Sequence, residues 1–233
     1  YPLNKMGKKN SIFIFKDHNK VGKFYYKWRY SKDGINFLTE RLNKKLFQYN
    51  NQFKKYHIIN EDKISAGPLT LRAVQNEDIE KIRIWRNNQR EVLRQNNLIT
   101  ENMQKEYYQN IIWPQLDIQK PKEILLSILN GKNLIGYGGL VNIEWEYKRA
   151  EISFLLDNNL VDNIKIYCKT FEDFLEKIKE IAFEDLKLNR LYTETYCTRS
   201  LHISILEKKG FKKEGVMKSH VKIKNNYFDS IIH

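Results

Sequence analysis

At 233 residues and 28.1 kDa, with 41% hydrophobic and 13% aromatic residues, the chain can bury a sizeable core and is no disordered polymer. Four prolines and ten glycines exclude a collagen-like repeat, and two cysteines (Cys168 and Cys197) exclude a disulfide framework. The net charge of +13 is uneven: residues 1–67 hold 15 Lys/Arg against 5 Asp/Glu, whereas the other 166 residues hold 26 against 23.

The N-terminal segment is therefore the part whose charge suits a polyanion. Within it Ser11 to Phe15 reads as a short buried strand. Lys23 to Ser31 alternates, with Phe24, Tyr26, Trp28 and Tyr30 on one face and Lys27 and Arg29 on the other. Basic and aromatic residues mixed in this way occur in single-strand nucleic-acid platforms, but the same alternation describes a strand with its aromatic face buried, which we favour. Ile35, Leu38, Leu42, Leu46, Tyr49, Phe53 and Tyr56 recur at helical steps and predict an amphipathic helix. The polar stretch 60–68, ending in Gly-Pro, is the best boundary signal. Residues 1–67 are thus expected to form a basic hairpin-and-helix appendage, docked on the body at 68–233 or on an upstream domain of the same polypeptide.

Beyond the boundary, Leu69 to Val74 is a predicted strand. Asn76 and Thr100 are placed to cap helices reaching Arg86 and Ile112. Glu123 to Leu129 and Leu134 to Val141 form a predicted hairpin over Asn130-Gly131. Arg149 to Leu156 follows as a strand, Phe171 to Leu186 as a helix, Leu191 to Tyr196 as a strand, and Leu201 to Lys209 as a helix closed by Gly210. Glu214 to Lys222 and Tyr227 to Ile232 close the chain as a hairpin over Asn225-Asn226. The order β-α-α-β-β-β-α-β-α-β-β makes the body an α/β (α+β) domain, a mixed sheet with helices on its faces. Gly136, Gly138 and Gly139 fall inside a strand, so they mark a bulge or close packing rather than a phosphate loop. No Cys/His spacing resembles a zinc site. His202, His220 and His233 read as separate side chains rather than a shared metal site. No run approaches the roughly 18 apolar residues of a membrane helix, and no signal-peptide pattern opens the chain, so no membrane partner and a cytoplasmic location are expected.

The words LTLRAVQNEDIEKIRIWRNN (69–88), LIGYGGL (134–140), RAEISFLL (149–156), IAFEDLKLNRLYTETY (181–196) and LEKKGFKKEGV (206–216) resemble the GNAT acyltransferase superfamily. The nearest branch acetylates ribosomal-protein N-termini and nucleotide-linked amino sugars. The resemblance covers about 165 residues and implies a mostly antiparallel sheet, acetyl-CoA as cofactor, no metal, and a small amine as acceptor. It implies that the backbone of Phe154, Leu155 and Leu156 pairs with the pantetheine. It also implies a Q/R-x-x-G-x-G/A turn around the pyrophosphate, where glycines let backbone N–H groups converge on phosphate. That turn is missing. DNNLVDNIKIYCKT (157–170) has no glycine, leaving Lys165, Lys169 and Thr170 to meet phosphate, unless the stretch is an ordinary solvated loop. By the same register Arg199 stands where the family has a cofactor-touching Asn, and Leu206 where it has a proton-donating Tyr. Glu194 occupies the position of the base that deprotonates the acceptor ammonium. Glu144 and Trp145, in the turn before the 149–156 strand, and His220, on a closing strand, are candidates for acceptor contact. The altered cofactor positions keep a second reading open: a GNAT-like binding or assembly module that no longer takes acetyl-CoA.

Overall fold

The computed structural model describes residues 32–51 and 53–233, in two compact units, Tyr1–Gln52 and Phe53–His233. The hairpin expected over residues 11–31 lies outside the described residues. The first unit contributes helix α1, Lys32–Asn51, with Asp33 in its first turn where the helix dipole favours a carboxylate. The expected helix continues to Tyr56; the observed one stops earlier, because Tyr56 belongs to the second unit. There it is buried, and its hydroxyl oxygen accepts the Leu125 N–H at 2.9 Å.

The expected boundary at 60–68 is instead a hairpin inside the second unit. Strand β1 (Ile64–Ala66) turns at Gly67, whose φ is +59°, and pairs with β2 (Leu69–Ala73). Gly-Pro marks a tight turn whether it joins two domains or two strands, and here it joins strands. The division between units falls after Gln52.

Helix α2 (Ile79–Asn88) starts after Asp78 rather than Asn76, and a short 3-10 turn (Arg90–Val92) follows it. The Asp78 carboxylate does not cap the helix; it takes two hydrogen bonds from Arg72 (2.6 and 3.0 Å), one from Ser127 Oγ (2.6 Å) and one from the Gln75 N–H (2.9 Å). Gln75 in turn exchanges hydrogen bonds with the Lys54 backbone at 2.7 and 2.8 Å. This buried polar network fastens the start of the unit to β2. Thr100 caps α3 (Glu101–Tyr107) through the Met103 N–H, as expected, and a wider π-helical turn carries the chain to Ile112.

Strands β3 (Ile124–Asn130), β4 (Asn133–Glu144) and β5 (Arg149–Leu156) form an antiparallel meander. Gly138 and Gly139 lie at close backbone crossings. A Cβ on Gly138 would sit 2.3 Å from Ser153 O, and one on Gly139 1.9 Å from Ile124 O. Close packing is therefore their role, while the register shifts of β4 fall to either side of them. Helix α4 (Ile164–Glu180) begins seven residues before the expected Phe171, and a π-helical turn ends it at Asp185. Strands β6 (Arg190–Tyr192) and β7 (Glu194–Tyr196) replace one expected strand. Helix α5 (Ser200–Lys208) ends at Gly210, whose φ is +90°, and β8 (Gly215–Ile223) and β9 (Asn226–Ile232) close the chain.

Two sheets result, a six-stranded one in the order β1-β2-β3-β4-β5-β6 and a three-stranded one in the order β7-β9-β8. Among the described residues only β5 and β6 run parallel. Among the described residues no helix is long and apolar enough to cross a membrane.

Candidate active site

The two sheets part at one residue. Strand β5 pairs with β6 only over Arg149–Glu151. Thr193 then turns away and exchanges both of its main-chain hydrogen bonds with His233, at 2.9 and 3.1 Å, and β7 continues along β9. From Ile152 to Leu156 the outer edge of β5 therefore has no strand partner among the described residues. Phe154, Leu155 and Leu156 lie on this edge. At the end of this edge Gln89 Nε2 donates to the Leu156 carbonyl at 2.8 Å.

Glu194 opens β7 at the fork. Its Oε2 accepts from Arg94 Nη1 at 3.1 Å, and Arg94 Nη2 also binds Glu151 Oε1 on β5. The second oxygen of Glu151 accepts from Asn142 Nδ2 at 2.8 Å. Glu194 Oε1 is buried and has no hydrogen bond. The nearest base, His220 Nε2, stands 3.5 Å away, outside ordinary hydrogen-bond reach. The fork thus gathers two carboxylates, one guanidinium and one imidazole, with an acceptor lone pair unspent.

A second group lies between α4 and α5. The Tyr167 hydroxyl is hydrogen-bonded with His202 Nδ1 at 2.7 Å and accepts from Arg199 Nη2 at 3.0 Å. His202 stacks on Phe171 with 4.1 Å between ring centroids, and Phe154 packs against Phe171 at 4.5 Å. Burial, helped by the neighbouring charge of Arg199 and by His233, holds the His202 pKa well below the ordinary imidazole value. The ring is therefore neutral in the folded chain, whereas in the unfolded chain it protonates near pH 6.5. Stability from this group is complete above about pH 6.5 and declines on acidification, approaching about 1.4 kcal/mol per pH unit. Chemical denaturation at pH 7.5 and 5.5 should show a smaller acid loss for His202→Gln than for the parent chain. An equal loss would remove His202 as its source.

The remaining expected site residues are dispersed. Lys165 is exposed on the first turn of α4, while Lys169 is engaged with Asp173 at 2.6 Å. Thr170 is buried. The 157–170 stretch, read as loop, is loop only to Asn163. Asn163 caps α4, its Oδ1 accepting the Ile166 N–H at 3.2 Å, so the helix terminus spends one of its free donors on itself. Glu144 is paired with Arg149, and Trp145 Nε1 donates to Pro121 O at 2.7 Å, so both brace the β4–β5 turn. Leu206 is completely buried. His220 is the histidine beside Glu194, while His202 and His233 are buried elsewhere.

Arg94, Glu151, Asn142 and Tyr167 were not singled out in the sequence. Glu151 did carry a signal, a carboxylate inside an otherwise apolar strand word; Arg94, in a polar loop, carried none.

Residues 71–232 match a family model described as an acetyltransferase (GNAT) domain. The chain belongs to the GNAT acetyltransferase family. The GNAT fold is also that of the solved structures it resembles. One is a spermidine N-acetyltransferase from Vibrio cholerae in complex with CoA and spermine, at 21% identity and a TM-score of 0.63, covering 71% of this chain and 93% of the other. Another is a dodecameric spermidine N-acetyltransferase from the same organism, at 19% identity and a TM-score of 0.57, covering 71% and 91%. No curated protein matches. The glycine-free turn before α4 offers phosphate only the exposed charge of Lys165 and the unused N–H groups of the first helical turn.

Proposed function

We propose that the chain transfers an acetyl group from acetyl-CoA to the primary amine of a small acceptor, with Glu194 as the base. The observation that carries this reading is the buried, unbonded Glu194 Oε1 at the point where β5 loses its partner. An acceptor ammonium reaching that oxygen would give up its proton there, directly or through one water. The amine then forms the new C–N bond as the C–S bond breaks. Bound acetyl-CoA would supply the thioester, held by the main chain of Phe154, Leu155 and Leu156, with Lys165 and Arg199 as the cations at hand for its phosphates. Leu206 has no proton to give the departing thiolate, so solvent provides it.

Two carboxylates against one guanidinium suit an acceptor that arrives as a cation. Spermidine, the substrate named for the structural neighbours, and a nucleotide-linked amino sugar, suggested by the sequence words, are the acceptors to compare first. A specific observation favours the other reading, a GNAT-fold binding module: Arg199, Tyr167 and His202 are already bonded to one another between α4 and α5. One titration separates them. Saturating acetyl-CoA should stabilise the chain by about 2.7 kcal/mol at a hundredfold excess over its dissociation constant, and free thiol should appear when the accepted amine is added. A melting temperature that does not move at millimolar acetyl-CoA overturns the transferase reading and leaves the binding module.

A further inference from the structure

The guanidinium of Arg94 is the one group that touches both carboxylates at the fork. It reaches them from the segment after the 3-10 turn, and its side chain is 53% exposed, whereas Glu151 and Glu194 are 5% and 11% exposed. The two carboxylates are therefore nearly buried, and Arg94 is the half-exposed cation lying against them. Of the other groups at the fork, Asn142 is uncharged, and His220 Nε2 lies 3.5 Å from Glu194 Oε1.

We propose that Arg94 is an intramolecular stand-in for the acceptor's ammonium group and thereby sets the charge of the acceptor that the site admits. This rests on the reading that the fork is the acceptor site. With Arg94 across both carboxylates, one oxygen of Glu194 is left without a hydrogen bond and Glu151 is spoken for. The site then takes one ammonium group, placed at Glu194 Oε1. When Arg94 is withdrawn, Glu151 and Glu194 together present two anionic groups to solvent, and a molecule with two ammonium groups becomes the better ligand. Arg94 thus acts on selectivity between singly and doubly charged amines by competing with the second charge. It need not touch the reacting nitrogen.

The test is equilibrium binding of 1,4-diaminobutane and of 1-aminobutane, by calorimetry, to the full-length parent chain, Arg94→Gln and Arg94→Lys. Arg94→Gln should bind the diamine at least tenfold more tightly than the parent does, with much less change for the monoamine. Arg94→Lys, which keeps the charge but lacks the two-pronged reach, should fall between. Adding Glu194→Gln to Arg94→Gln should abolish the gain. Unchanged or weaker diamine binding by Arg94→Gln, in a variant whose far-ultraviolet spectrum matches the parent, overturns the proposal. So does an equal gain for both amines. The outcome is independent of the transferase reading: a chain that turns over no amine yet gains diamine affinity keeps the Arg94 role and loses the activity. A chain that acetylates amines with selectivity indifferent to Arg94 does the reverse.

Discussion

Glu194→Gln is expected to lower turnover of the accepted amine by about a hundredfold near neutral pH while leaving acetyl-CoA affinity unchanged. The substitution preserves the shape of the side chain and its ability to accept from Arg94 Nη1, now 3.1 Å away, so the fork should keep its arrangement. What is lost is the capacity of Oε1 to take a proton from an ammonium. A hundredfold loss corresponds to about 2.7 kcal/mol in the barrier, well within what one positioned base supplies. Steady-state kinetics at several pH values, alongside a cofactor titration, make the measurement. A rate within about twofold of the parent would take Glu194 out of the mechanism; a loss of cofactor binding would show that its role is structural.

The largest expected effect on stability belongs to Asp78. Its carboxylate is 2% exposed and serves Arg72, Ser127 and the Gln75 N–H at once, with Arg72 itself 9% exposed. Removing one partner of a buried pair leaves the other charge without compensation, which costs about 3–5 kcal/mol. Asp78→Ala should lose that much in chemical denaturation. Glu77, whose Oε1 lies 3.5 Å from Arg72 but is itself exposed, offers only weak relief. Asp78→Asn, which can still accept hydrogen bonds, should lose less. A deficit below about 1 kcal/mol for the alanine variant would mean that Arg72 finds water or Glu77 at little cost. The same network holds Lys54 to Gln75, so the loss should also loosen residues 53–56, visible as faster amide exchange at Lys54.

The architecture was largely legible because its punctuation is local. Asn130-Gly131 gives a hairpin, Thr100 caps α3 through Met103, and Gly210 ends α5, and each acts within a few residues of itself. The early start of α4 is also written in the chain, as Asn163 followed by Ile164, Tyr167 and Phe171 at helical spacing. The break between β6 and β7 left no mark. Leu191 to Tyr196 reads as one strand because its residues keep a strand-like pattern through Thr193; only the competing pairing of Thr193 with His233 divides it. Of the side chains gathered at the fork, the sequence singles out Glu194 and His220, and not Arg94, Glu151 or Asn142. Arg94 meets Glu151 and Glu194 across 57 and 100 residues of sequence, and no short-range pattern announces a contact of that span.

Because Thr193 is the single residue joining β6 to β7, the groups at the fork are mounted on two separate plates. Glu151 and Asn142 are fixed to the larger one, along with the open β5 border; Glu194 and His220 ride on the smaller. Arg94, bonded to Glu151 on one plate and to Glu194 on the other, is the strut between them.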